Sequence, residues 1–386
     1  MGSGETIPFP GGSARVVSLA ELRETDAWTA AFRDQAKDSR FYGIVEETIT
    51  GFEHHYLILQ DNNGRVRGVQ PFFFLQQNLV EGVPALRSIV DFIRRTFPRF
   101  LTMRVLMIGC AAGEGHLGIC ESGDEDWFAI ALYAALNIYA RGKAALIVFK
   151  DFSARYRDML QRFADNGYTR IPSMPMTQLA LSFRDFDDYF GRLSKATRKD
   201  LRRKFKRVEK ASPIQLEVVT DVSPWVDEMY PLYLQVQERS PLKFETLTKD
   251  YFRELGRCMP DKVRFFIWRQ EGKIVAFSLC LVHRGVIYDD YLGLDYSVAL
   301  DLHLYFVTFC DILGWAVAQG LSYYRSSPLN YEPKLHLDCE LAPLDLYVRH
   351  TNPWLNRIFP PILKLLEPTR HDPVLQRFPN ARELRR

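Results

Sequence analysis

Cysteine is scarce and poorly spaced for cross-linking. The six thiols stand at 110, 120, 258, 280, 310 and 339, with no C-x-x-C pair. That spacing excludes a zinc ribbon and a disulfide frame, and points to reduced thiols in a cytoplasmic protein. No metal site is expected. No apolar run reaches the ~18 residues a membrane-spanning helix requires. The opening residues, MGSGETIPFPGG, lack the cationic start and apolar middle of a secretory signal. An excess of one charge is lacking too. A net charge of +3 over 386 residues excludes a broad polyanion-binding surface, and no DNA partner is expected. These absences leave a soluble chain, or one lying peripherally on the inner face of a membrane.

What is present is a large apolar inventory. Hydrophobic residues make up 47% and aromatic residues 13%, with Phe the commonest ring. This suits a deep core or an apolar ligand groove. The length exceeds one ordinary core, so two domains are expected.

The two halves repeat one order of elements. In the first, strand-like 55–60 and 65–76 flank Asp61-Asn62-Asn63-Gly64, a strong hairpin signal. In the second, 263–269 and 273–282 flank Glu271-Gly272. Gly64 matches Gly272, Val66 matches Ile274 and Gly68 matches Ala276 at one offset. Each hairpin is followed by a strand, a loop, a helix and a strand. In the second half these are strand 286–292, a loop with Gly293, helix 302–319 and strand 321–325, closing on Tyr331-Glu332-Pro333-Lys334. The expectation is an internal duplication. It has a flexible start (1–14), a first domain (15–183) with an insertion at about 78–104, a second domain (184–352) and a tail (353–386) that frays after Glu367. Arg residues among bulky apolar ones at 86–107 and in the tail fit either interfacial membrane contact or docking on the body.

Between the halves lies the most charged stretch, 192–210, with ten Lys or Arg and two acids. Leu193, Leu201, Phe205 and Val208 recur at helical spacing, and Ser194 suits the cap. This amphipathic helix offers a phosphate-holding face or a plain solvated one.

The doubled order, the basic run 193–204, the sequence Tyr291-Leu292-Gly293-Leu294-Asp295 and the later Glu332-Pro333-Lys334 together resemble the GNAT acyltransferase superfamily, in particular its tandem, FemAB-like group. The resemblance implies an α/β fold of two tandem GNAT-like domains, each a mixed twisted sheet with flanking helices. It also implies acyl or aminoacyl transfer to an amine, from acyl-CoA or aminoacyl-tRNA. Bacterial ceramide-forming acyltransferases look like one lipid-directed branch. The sequence departs from the family where Gln or Arg-x-x-Gly-x-Gly or Ala should follow Leu292. It reads Gly293-Leu294-Asp295-Tyr296-Ser297 instead, which puts phosphate binding by that loop in doubt. The loop carrying Gly113 and Gly115 is an alternative.

Amide formation from a thioester needs a held amine, oxyanion donors and a base, but no covalent nucleophile. Glu332 is the first candidate base and His336 the second. Asp289 and Asp290 are acids in an apolar run, suited to a polar or cationic group. Tyr291 and Tyr331 are candidate proton donors to the thiolate. On an alternating strand, Asp289 and Tyr291 share one face. Arg198, Arg202, Arg325, Lys334, Gly293, Gly113 and Gly115 are the candidate CoA contacts. The expected activity is N-acylation of a primary amine, with an amino lipid or sphingoid base as the candidate acceptor, by acyl-CoA as co-substrate, with no permanently bound cofactor. A Fem-type aminoacyl-tRNA-dependent ligase and a non-catalytic degenerate GNAT binding module are the alternatives.

Overall fold

Two mixed sheets carry the chain, one in each compact unit. The structure is a computed structural model that describes residues 5–78, 91–96, 102–370 and 372–386. Most of the expected insertion therefore lies outside the described residues. Unit 1 comprises Met1–Met174, Pro343–Pro373 and Arg382–Arg386; unit 2 comprises Pro175–Ala342 and Val374–Ala381. The boundary expected after 183 thus falls after Met174, and residues beyond 342 are shared between the units.

In chain order the strands are β1 (Thr6–Phe9), β2 (Gly12–Val17), β3 (Glu53–Asp61), β4 (Val66–Asn78), β5 (Thr102–Ile108), β6 (Leu146–Ser153), β7 (Thr169–Pro172), β8 (Met176–Ala180), β9 (Ile214–Val219), β10 (Val263–Gln270), β11 (Lys273–His283), β12 (Val286–Leu294), β13 (Tyr323–Ser326), β14 (Glu340–Ala342) and β15 (Leu344–His350). Unit 1 orders them β1-β2-β3-β4-β5-β6-β15-β7, and unit 2 β14-β8-β13-β12-β11-β10-β9. With β1 set aside and the second order read backwards, the two orders coincide, β2 matching β9 and β7 matching β14. Among the described strands only β5–β6 and β12–β13 are parallel pairs, each joined by a crossover helix, Glu125–Tyr139 and Leu304–Ala318 respectively.

The duplication extends to a local irregularity. One extra residue, Arg67, bulges from β4 against β3, and Val275 bulges from β11 against β10. These two positions stand at the same offset as the turn glycines. Both turns need positive φ at glycine, +79° at Gly64 and at Gly272, which L-residues reach only at a cost. The slot beside β6 is filled by β15, and the matching slot beside β13 by β8. The sheet of unit 1 therefore takes β15 from beyond the segment that builds the rest of it, whereas in unit 2 the first strand of a continuous run, β8, pairs with its late strands β13 and β14. Both strands pair far in sequence, so no local pattern announces them.

Each unit has its own core. Phe72, Leu106, Phe128, Leu132, Ile147, Phe149 and Tyr347 anchor the first; Phe266, Trp268, Ile287, Phe309, Leu313 and Tyr324 anchor the second. Burying such side chains contributes roughly 1.5–3 kcal/mol each. Two expectations about the termini are corrected. The stretch read as flexible forms β1, because Ile7 and Phe9 bury their side chains. The end of the chain does not fray, because Leu375, Phe378 and Leu384 are buried.

Candidate active site

The crossover of unit 2 leaves an open fork. Strand β12 pairs with β13 only from Val286↔Tyr323 to Asp289↔Ser326, while its pairing with β11 runs on to Leu294. Ser327 N–H closes the last rung on the Asp289 carbonyl at 3.1 Å. Beyond it, residues 291–294 have no strand partner on the β13 side among the described residues. Backbone groups freed in this way must find another partner.

A bulge sits at the apex of the fork. Asp289 stands opposite Cys280 and Tyr291 opposite Leu279, so Asp290 is an extra residue. The insertion reverses the alternation and corrects the expectation that Asp289 and Tyr291 share a face. Asp289 accepts hydrogen bonds from Ser278 Oγ and, at 2.7 Å, from Tyr324 Oη. Tyr324 belongs to the core packed around the crossover helix. Tyr291 lies on the other face, against Tyr233 and Tyr251, and its hydroxyl donates to Glu245 at 2.7 Å.

Burial sets the electrostatics here. It pushes the Asp289 carboxyl above the ordinary carboxylate value, against the lowering effect of its hydrogen bonds and of the Lys334 charge. Lys334 is 3% exposed, and its Nζ donates to the Ser327 carbonyl at 2.5 Å. Desolvation brings its pKa down to about 8, with the Cys339 thiol and Asp289 partly opposing. Burial and the Glu245 charge hold the Tyr291 hydroxyl well above its usual value. The fork thus brings together a half-buried carboxylate that binds protons more readily than usual and a buried amine that releases one more readily.

The polar cluster at 331–336 is a short helix, Tyr331–His336, and this period sorts its residues. Lys334 and Tyr331 turn inward, the Tyr331 hydroxyl donating to the Pro175 carbonyl at 2.8 Å. Glu332 and His336 turn out to solvent and pair with each other at 3.1 Å. Arg377 also holds Glu332, at 2.5 Å, and lowers its pKa. The first two candidate bases therefore stand on the outer face of this helix, paired with each other. On an extended segment Lys334 and His336 would have shared a face; the helix separates them.

Asp290 is buried at the bulge. Arg325, on β13, places its guanidinium 5.7 Å from the Tyr288 ring centroid, and its Nε has no partner among the described residues. Gly293 serves packing: a Cβ there would lie 2.1 Å from the Phe277 ring and 2.9 Å from the Tyr233 backbone nitrogen. Gly113 and Gly115 belong to unit 1, whereas the fork belongs to unit 2. Ser278, Tyr324 and Glu245 were missed in the sequence. A serine inside the apolar run of β11 was a usable signal for the first; the other two carried none.

The basic run forms helix Lys195–Val208, and the Ser194 side chain caps it at the Thr197 N–H. Lys195, Arg198, Lys199, Arg202, Lys206 and Arg207 line one open groove. Arg198 is partly committed, donating to the Gly191 and Leu193 carbonyls at 2.7 Å, and Arg202 lies 5.1 Å from the Phe190 ring centroid. The helix packs beside the segment that follows β12. Arg207 pairs with Asp301 at 2.9 Å, and Lys204 Nζ stands 3.5 Å from the Phe306 ring centroid.

Residues 195–333 match the sequence model of the acetyltransferase (GNAT) domain. No curated protein matches the chain by sequence. Three solved structures share its fold over nearly their whole length. The crystal structure of FemX is 12% identical, covering 90% of this chain and 99% of its own, with a TM-score of 0.55. The C-terminal domain of a protein described as a lysylphosphatidylglycerol synthetase from Agrobacterium fabrum is 16% identical, covering 91% and 97%, with a TM-score of 0.52. L-PGS from Bacillus licheniformis is 13% identical, covering 92% and 97%, with a TM-score of 0.51. The matched segment contains the fork. Residues 195–333 therefore match the acetyltransferase (GNAT) domain within unit 2, and unit 1 repeats the strand order of that unit.

Proposed function

We propose that the protein transfers an acyl group from acyl-CoA, with a long chain preferred, to a primary amine such as an amino lipid or sphingoid base. The observation that carries this reading is the open fork beyond Asp289, with Asp289 and Lys334 beside it. The thioester lies along the unpaired edge of 291–294, where backbone N–H groups face the developing oxyanion. The amine nitrogen attacks the thioester carbonyl and loses its proton to Asp289. The C–S bond breaks, and the departing thiolate takes a proton from the Lys334 ammonium. Neither tyrosine of the original set suits that last role, since Tyr291 is engaged by Glu245 and Tyr331 by Pro175.

The basic helix replaces the missing glycine-rich loop. Its contacts with Asp301 and Phe306 put cations next to the segment between β12 and the crossover helix, where the family signature is absent. Arg202 and Lys206 hold the CoA phosphates as charge partners.

The test is turnover of long-chain acyl-CoA with a panel of primary amines, followed by mass spectrometry of the amide. Amide formation that Asp289→Asn abolishes supports the reading. Activity that needs aminoacyl-tRNA and is lost on ribonuclease treatment would replace it with a Fem-type ligase. No product with any donor, despite a folded protein, would leave a binding module.

A further inference from the structure

Helix Pro353–Leu365, in unit 1, presents its apolar side to solvent. Trp354 is 74% exposed, Ile358 58% and Leu365 67%, with Leu355 and Ile362 also exposed. Their spacing makes one continuous stripe along a helix about 20 Å long. No described residue covers it. The opposite face fastens the helix to its unit. Asn356 Nδ2 donates to the Gly167 carbonyl at 2.8 Å, and Asn356 Oδ1 accepts from His350 N–H at 2.9 Å. The Phe359 ring lies 5.5 Å from the His350 ring, and Leu363 is buried. The exposed stripe is therefore held on a fixed mount.

The charge around the stripe has one sign. Arg357 and Lys364 lie on the helix, and 352–366 contains no acid. The Arg357 guanidinium sits 5.1 Å from the Trp354 ring centroid. Tryptophan at one end, aliphatic side chains between and basic residues alongside are the chemistry of a helix lying in the headgroup zone. Pro360 and Pro361 lack the N–H groups that would bond the carbonyls of Asn356 and Arg357. Those carbonyls need water or headgroups, which the interface supplies and hydrocarbon does not. The helix is also too short to cross. A second copy of the chain would face two like-charged helices with each other; an anionic surface complements them.

We propose that helix Pro353–Leu365 docks the protein on an anionic lipid bilayer, inserting Trp354, Ile358, Ile362 and Leu365 to headgroup depth. This inference stands apart from the acyltransfer reading, because vesicle binding is measured without turnover.

The test uses the full chain and sedimentation with vesicles of phosphatidylcholine, with and without 30% phosphatidylglycerol. The wild type is expected to bind the anionic vesicles at least tenfold more tightly than the neutral ones. Trp354→Gln/Ile358→Gln/Ile362→Gln should lose at least tenfold in that partitioning, with its melting temperature unchanged. Arg357→Gln/Lys364→Gln should lose roughly tenfold on anionic vesicles and little on neutral ones. Equal binding to both vesicle types, unchanged binding by the triple variant, or a wild-type dimer in sedimentation velocity that the triple variant dissociates would each overturn the proposal.

Discussion

The two units treat the same topological position in opposite ways. In unit 2 the strand before the crossover helix bulges at Asp290 and diverges from β13, leaving an unpaired edge. In unit 1, β5 pairs with β4 in unbroken register and ends at Ile108. The chain turns away at Gly109, φ +118°, and a later part of the same loop comes back to β6. Gly115 N–H donates to the Asp151 carbonyl at 3.0 Å, and Lys150 Nζ to the Gly113 carbonyl at 2.9 Å. Glu114 is buried with Lys37 at 2.5 Å, His116 beside it. A fork in one unit is thus a filled position in the other. Duplication repeats the sheet, and the loop at 109–124 decides whether the repeat leaves the strand edge open.

The comparison breaks most directly at the two buried carboxylates. Asp289→Asn is expected to lower kcat by roughly 10²–10⁴, the usual worth of a general base. Glu114→Gln should leave kcat within about twofold. Steady-state assays of both variants would reverse the assignment of roles if the losses came out the other way.

Stability should show the opposite ranking. Removing the Glu114 charge takes the ion-pair partner from the buried Lys37 ammonium, at a cost of about 3–5 kcal/mol, readable as a shifted urea midpoint. Gly113→Ala should destabilise as well, since φ is +95° and a Cβ would sit 2.2 Å from Lys37 Nζ.

The pH dependence sharpens the case for the fork. Asp289 must be ionised, so kcat/KM should fall as pH drops through a value above the ordinary carboxylate range. Lys334 must be charged, so kcat/KM should fall again as pH rises through about 8. Lys334→Met should lose that upper limb. The sign for stability runs the other way. Lys334 releases its proton more readily folded than unfolded, so between about 8 and the unfolded value the unfolded chain binds more protons. Its contribution to stability therefore rises with pH across that window. Urea midpoints at pH 7.5 and 9.5 should show a rise in the wild type that exceeds the change in Lys334→Met.

Smaller effects test the periphery. Arg202→Glu/Lys206→Glu should raise KM for acyl-CoA by about tenfold at low salt with little change in kcat, and the difference should shrink as salt screens it. Glu332→Ala should change kcat by less than about twofold, because the carboxylate is exposed and held by Arg377 and His336.

Local chemistry made much of the fold readable. Gly64 and Gly272 mark turns that need positive φ, and alternation around them marks the hairpins. Leu201, Phe205 and Val208 mark the stripe of the basic helix and Ser194 its cap, while Leu193, expected in the stripe, precedes the cap in extended backbone. The crossover, and with it the neighbourhood of Asp289, followed from strand and helix periods in a single stretch. These features depend on residues a few positions apart, which is the range over which a sequence states its own geometry.

The tertiary structure decided the rest. Asp290 becomes a bulge only because β11 fixes the register on both sides of it, and that one residue sends Asp289 and Tyr291 to opposite faces. A helical turn at Tyr331–His336 puts Lys334 inside and Glu332 outside, where an extended reading could not separate them. β8 and β15 fill their slots across chain distances no local pattern spans. Long-range pairing sets register and burial, and through burial it sets which carboxylate is a surface ion and which one binds protons more readily than usual.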